Sequence, residues 1–128
     1  MVKLLVLAVS LFAAPLQDAG VSGVWDVKLS ADWTTMPDLV CKLRQKGQAL
    51  SGSCKAAGDE KGKTADIVGT VQGNKINCEW KVTTPDGATW SFELAGTADE
   101  RKSQIKGAFK ISNAAGAVGD GTFLATRQ

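Results

Sequence analysis

Three cysteines, four tryptophans and no histidine set the chemistry open to this chain. Without histidine there is no ordinary imidazole base and no Ser–His or Cys–His pair. The paired carboxylates, Asp59 with Glu60 and Asp99 with Glu100, stand in polar turn-like stretches, where solvation is their ordinary role. Glu79 and Glu93 fall on the outward phase of strands. No glycine-rich loop opens a helix, so no phosphate cradle is expected. Cysteines without histidine and without a CxxC pair make no metal site. The residues therefore propose no catalytic group, no metal and no cofactor.

Apolar recognition and disulfide chemistry remain. Trp80, Trp90, Phe92 and Phe109 share one alternating phase, and Trp33 and Met36 lie in the longest connection. Aromatic walls beneath an apolar lid suit a small hydrophobic ligand. The competing reading is that these side chains simply fill a small interior. That reading is favoured for Trp25, Phe109 and Phe123, whereas Trp80 and Trp90, with Phe92, are the better pocket candidates. For Trp33 and Met36 the competing role is packing across the barrel mouth. Cys41, Cys54 and Cys78 all fall on the inward phase. Cys41 and Cys54 belong to adjacent strands of one hairpin and form the preferred disulfide. A register pairing Leu43 with Leu50 sets them diagonally, where the Cα separation is less suitable, so bridged and free states both stay open. Cys78 would then be a small buried apolar side chain.

The elements that position these residues are strands. An apolar-x-Gly-x-apolar unit recurs around Gly52, Gly69, Gly96 and Gly107, with partial copies at Gly23-Val24-Trp25 and Gly121-Thr122-Phe123. Period-two alternation sends successive side chains to opposite faces. Glycine on the inward face of strand after strand allows the coiling that closure requires. Eight alternating segments follow one another from about Ser22 to Arg127. Tight turns are expected at Lys46-Gly47 and Gly73-Asn74, and a further turn at Pro85-Asp86-Gly87. The fold class is all-β: an eight-stranded antiparallel up-and-down β-barrel, whose closure removes both sheet edges. Longer connections at residues 30–38, 57–64, 83–88 and 112–118 should share one end, leaving the other pinched. Trp25 and Arg127 fall at the pinched end, on strands that become neighbours at closure.

A single charge at Lys3 and an apolar run over residues 4–16 read as a secretory leader, too short and poorly flanked for a transmembrane helix. The expected division is a signal peptide over residues 1–20 and a barrel domain over residues 21–128. Ala13-Ala14 and Ala19-Gly20 are both candidate cleavage sites. Export to a secreted or periplasmic location permits disulfides. No stable membrane span is expected after leader removal. The net charge of +2 is too small to indicate nucleic acid, and the Lys and Arg residues alternate with apolar positions rather than forming a run.

With Gly23-x-Trp25 opening the first strand and Arg127 ending the last, the chain resembles the calycin group of lipocalins, fatty-acid-binding proteins and avidins. It also looks like the short secreted lipocalin-like domains of bacteria. The likeness spans residues 21–128 and implies barrel closure by Gly23, Trp25 and Arg127, the arginine packing over the tryptophan. The chain has no tyrosine and an almost wholly apolar inward phase, so the polar ligand contacts of avidins do not carry over. The resemblance concerns fold rather than activity. The functional expectation is a non-enzymatic binding protein for a small apolar molecule. The alternative is a protein-interaction module, such as a secreted protease inhibitor, with a filled barrel. In that case the segment over residues 14–22, or the Trp33 loop, would engage a protein partner.

Overall fold

The computed structural model describes residues 20–58 and 62–128. Apart from Gly20, the expected leader lies outside the described residues, as do Asp59 and Glu60. Eight strands follow in order: β1 Gly23–Ser30, β2 Leu39–Lys46, β3 Ala49–Ala56, β4 Ala65–Gln72, β5 Lys75–Thr83, β6 Thr89–Ala98, β7 Gln104–Asn113 and β8 Gly116–Arg127. Each pairs antiparallel with the next, and β8 returns to β1 to close an up-and-down barrel. Alternation decides the inside. In β1, Trp25, Val27 and Leu29 are buried while Asp26, Lys28 and Ser30 are exposed. The same rule gathers Leu50, Ile67, Val71, Ile76, Leu94, Ile105, Phe109, Ile111 and Phe123 into one apolar core. Eight strands enclose a space that such side chains can fill.

Glycine makes the curvature sterically feasible. Gly96 lies directly opposite Gly107 where β6 meets β7. A Cβ on Gly107 would stand 2.0 Å from the Ala95 carbonyl oxygen, so no larger residue fits that approach. On β8, Gly121 pairs with Phe109, whose ring occupies the space a side chain at 121 would need.

At one end, two-residue turns at Gly47-Gln48 and Gly73-Asn74 are tight, each glycine having φ +62°. The first sits one residue later than the expected Lys46-Gly47. The other end carries the connections over residues 31–38, 57–64 and 84–88. The seventh connection, expected to be long, is a short turn at Ala114-Ala115, because the β7–β8 ladder continues to Asn113 opposite Gly116. Asn113 accepts a 2.9 Å hydrogen bond from the Ala115 N–H. Glycines at 116 and 119 gave the start of β8 the composition of a turn. Main-chain pairing with β7, interrupted by a bulge, holds it as strand.

A second difference lies between β4 and β5. Their pairing ends at Val68 opposite Glu79. Val82, on the inward phase, is consequently 38% exposed, since β4 no longer runs alongside to cover it.

Candidate functional site

The pinched end is sealed by a stack of named contacts. Trp25 has no accessible surface, and its indole N–H donates to the Val21 carbonyl at 2.9 Å. Arg127, directly opposite on β8, lays its guanidinium over the indole, 4.6 Å from the ring centroid. The same guanidinium donates to the carbonyls of Ser22 at 2.5 Å, Gly20 at 2.8 Å and Lys102 at 2.9 Å. Its planar fork suits this task, binding three main-chain acceptors while its face covers an aromatic ring. Gly23 is required on two counts: φ is +141°, and a Cβ there would lie 2.8 Å from an Arg127 nitrogen.

Part of this floor was not visible in the alternating pattern. Val21, just ahead of β1, is fully buried and its N–H donates to Gln45 Oε1 at 3.0 Å. The Gln45 main-chain N–H in turn donates to Ser22 Oγ at 2.9 Å. Residues 20–22 are thus built into the floor. The one sequence signal was an apolar Val21 just outside the strand; nothing marked Gln45 as its partner.

Cys41 and Cys54 are bridged, with a Cα separation of 4.0 Å. The diagonal register considered from the sequence does not occur. Cys41 faces Cys54 directly, Leu43 faces Gly52, and Leu50 faces Gln45. The Ala57 N–H donates to the Asp38 carbonyl, and that pair fixes which rungs are hydrogen-bonded. By alternation, Cys41 and Cys54 form a non-hydrogen-bonded rung, where antiparallel chains approach most closely.

The interior above this floor is nearly solid. The void lined by Trp25, Val27, Cys41, Cys78, Trp80 and Phe123 measures about 30 Å³ and has a wholly apolar lining. It has room for about one water molecule and offers that water no partners. Cys78 has a free thiol whose pKa is pushed up to about 12 by burial. Part of the residue remains accessible, but its side chain lines the dry void, and desolvation of the thiolate governs.

The five ligand candidates take different places. Trp80 is buried and stacks on Phe92, its cross-strand partner, with centroids 5.1 Å apart and planes inclined by 5°. Phe92, Trp90 and Met36 are half-buried against the core at the looped end. Trp33 stands apart and is 48% exposed. Its indole N–H donates to the Asp120 carbonyl at 2.8 Å, and the ring fills the space above Gly119. That stretch of β8 extends past Thr122, its last residue paired with β1. Trp33 therefore caps a strand edge beside the mouth, not the mouth itself.

The perturbed carboxylates serve turns. The Asp99 carboxyl is held below the usual range by the Ser103 hydroxyl, then by the Gln104 N–H. Asp86 is lowered in the same way by the Thr84 hydroxyl and the Ala88 N–H. Both are exposed and brace the connections they occupy. Among the described residues, no three His, Cys, Asp or Glu side chains are grouped as metal ligands. No protein-family model matches the chain, and no curated protein matches its sequence.

Proposed function

We propose that this protein is a secreted or periplasmic, non-enzymatic interaction module of calycin-like kind, in which a filled barrel holds the Trp33 loop out to a protein partner. The observation that carries this reading is the interior volume. A void of about 30 Å³ falls well short of the several hundred Å³ that small-molecule pockets occupy. The barrel is better suited to be a rigid support. Trp33 fits the part of an anchor: a large aromatic surface, nearly half exposed, held in one orientation by its bond to Asp120. Tryptophans so placed dominate interface energetics, and prior fixation lowers the entropy lost on binding. The Cys41–Cys54 bridge is in keeping with an oxidising compartment.

The mouth supports a second reading. Trp90, Phe92 and Met36 retain accessible apolar surface there, so a small apolar molecule has a place to lie across the rim without entering the barrel. Native mass spectrometry on protein purified from its own host separates the two readings. A stoichiometric protein partner, lost in Trp33→Ala while the fold is retained, is the expected result. A co-purified small molecule displaced by Trp90→Ala, with no protein partner, would overturn the first reading in favour of the second.

A further inference from the structure

The barrel is polarised in charge along its axis. Around the pinched end, Arg44 and Lys46 close β2, Lys75 opens β5, Arg101 and Lys102 stand in the β6–β7 connection, and Lys106 follows near the start of β7. None of the strand cations faces a carboxylate across a rung. Arg44 faces Ser51, Lys46 faces Ala49, Lys75 faces Gln72 and Thr97, and Lys106 faces Thr97 and Leu124. Against these cations stand Asp99 and Glu100, and the Asp99 carboxylate is taken up by Ser103 and Gln104. A step higher on the wall, Asp26 is answered by Lys42, diagonal to it on β2. The α-carboxylate of Gln128 and the α-ammonium exposed by leader removal lie at this same end and offset each other. The looped end has the opposite sign. Its connections over residues 31–38 and 84–88 carry Asp32, Asp38 and Asp86 without a lysine or arginine, and that over 57–64 has two charges of each sign.

We infer that the pinched end seats on the anionic headgroup surface of a bilayer, peripherally and without a span, and leaves the Trp33 loop turned away from it. Shape selects a surface over a linear polyanion. The β2–β3, β4–β5 and β6–β7 connections alternate around the closed barrel, so the cations mark three sides of one rim. A flat array of phosphates meets all three sides together, whereas a linear polyanion follows only part of the rim. The end is also blunt, because the turns at Gly47-Gln48 and Gly73-Asn74 are two residues long. Lysine and arginine side chains on the outer wall are long enough to bend towards that surface. The course of the chain points the same way. Gly20 is tied to the floor by Arg127, and Val21 by Gln45. The apolar run over residues 4–16 ends four residues before Gly20, which is at most about 14 Å of chain. A leader still held in the membrane therefore keeps this end against the bilayer, and the cations maintain that contact after cleavage. The inference shares with the reading above only the export of the chain; it uses the end opposite Trp33.

The test uses the exported protein with its leader removed. Sedimentation with phosphatidylcholine vesicles containing one-third phosphatidylglycerol should show binding at low salt. Binding should be at least tenfold weaker to pure phosphatidylcholine, and should weaken as salt is raised. Each lysine or arginine near an anionic bilayer strengthens binding about fivefold. Lys46→Glu with Lys75→Glu should therefore weaken it more than tenfold. Lys81→Glu with Lys110→Glu makes the same change in net charge away from the rim and should weaken it less than threefold. In nanodiscs of the same lipids, a nitroxide on the headgroups should broaden the amide signals of Gly47, Asn74 and Lys102 and leave that of Trp33 sharp. Trp33→Ala should leave vesicle binding unchanged, so this inference and the partner reading can fail separately. Equal binding to both kinds of vesicle would overturn the inference, as would equal losses from the two charge-reversed pairs or broadening centred on Trp33. Displacement of the vesicles by soluble polyphosphate at equal phosphate concentration would assign the rim to a linear polyanion, which also overturns it.

Discussion

Replacing Trp25 with alanine should be among the most damaging single changes to this barrel. The side chain is wholly buried, and the interior beside it is already packed down to a void of about 30 Å³. A buried tryptophan truncated to alanine costs about 3–5 kcal/mol through lost burial and the new cavity. The Val21 carbonyl also loses its indole donor, worth about 1 kcal/mol. Arg127 loses the ring beneath its guanidinium, worth roughly 0.5–2 kcal/mol. The total, about 4.5–8 kcal/mol from these contributions, is a large fraction of the 5–15 kcal/mol that holds a domain of this size folded. Trp25→Phe separates the parts. It keeps one aromatic ring but removes the N–H and the rest of the indole, so it should lose less than the alanine variant, about 1–3 kcal/mol. Urea unfolding of the oxidised protein, followed by far-ultraviolet circular dichroism, measures both. The refuting result is a Trp25→Ala variant that loses less than about 1.5 kcal/mol with an unchanged m-value, since the floor would then not depend on this ring.

Other expectations follow from the same geometry. Replacing Cys41 and Cys54 together by alanine should cost about 3 kcal/mol, because the bridge closes a loop with a sequence separation of 13; the shift in urea midpoint measures it. Native protein should react with Ellman's reagent at pH 8 slowly or not at all, then yield one thiol per chain in urea, since the Cys78 pKa of about 12 keeps that group protonated while folded. The folded pKa lies above the unfolded value, so the Cys78 contribution is intact below pH 9 and declines between pH 9 and about 12, by roughly 1.4 kcal/mol per pH unit. Cys78→Ala should remove that dependence from urea titrations at pH 8 and pH 10.5. Gly107→Ala should cost about 1–3 kcal/mol by forcing β6 and β7 apart. Gly47→Ala, with open space around it but φ +62°, should cost about 1 kcal/mol through backbone strain alone.

How much of this was legible in the sequence depends on the range of the interaction. Alternation is local, so the β1 phase of Trp25, Val27 and Leu29, the count of eight strands and the polar outer face could all be read directly. Meander connectivity then made β1 the neighbour of β8. The β7–β8 connection was read as longer than it is because Gly116 and Gly119 carry no local strand signal; only pairing with β7 reveals them as strand. Disulfide register was undecidable for the same reason, since a shift in pairing leaves the sequence pattern unchanged.

The candidate site depended still more on contacts distant along the chain. The pattern put Trp80, Trp90 and Phe92 on the inward phase, but phase alone does not say whether the residues opposite leave a gap. Summed side-chain volume and the tightness of coiling at Gly96 and Gly107 decide that, and they leave almost none. Trp33 took its position from a carbonyl 87 residues away, and the floor from Gln45 meeting Val21 across 24. Sequence by itself determined which side chains face in and which face out, because that choice is made within each strand. Tertiary structure decided which of them meet, where the wall parts between β4 and β5, and how little room is left inside. Those outcomes depend on register and closure, which no single strand encodes.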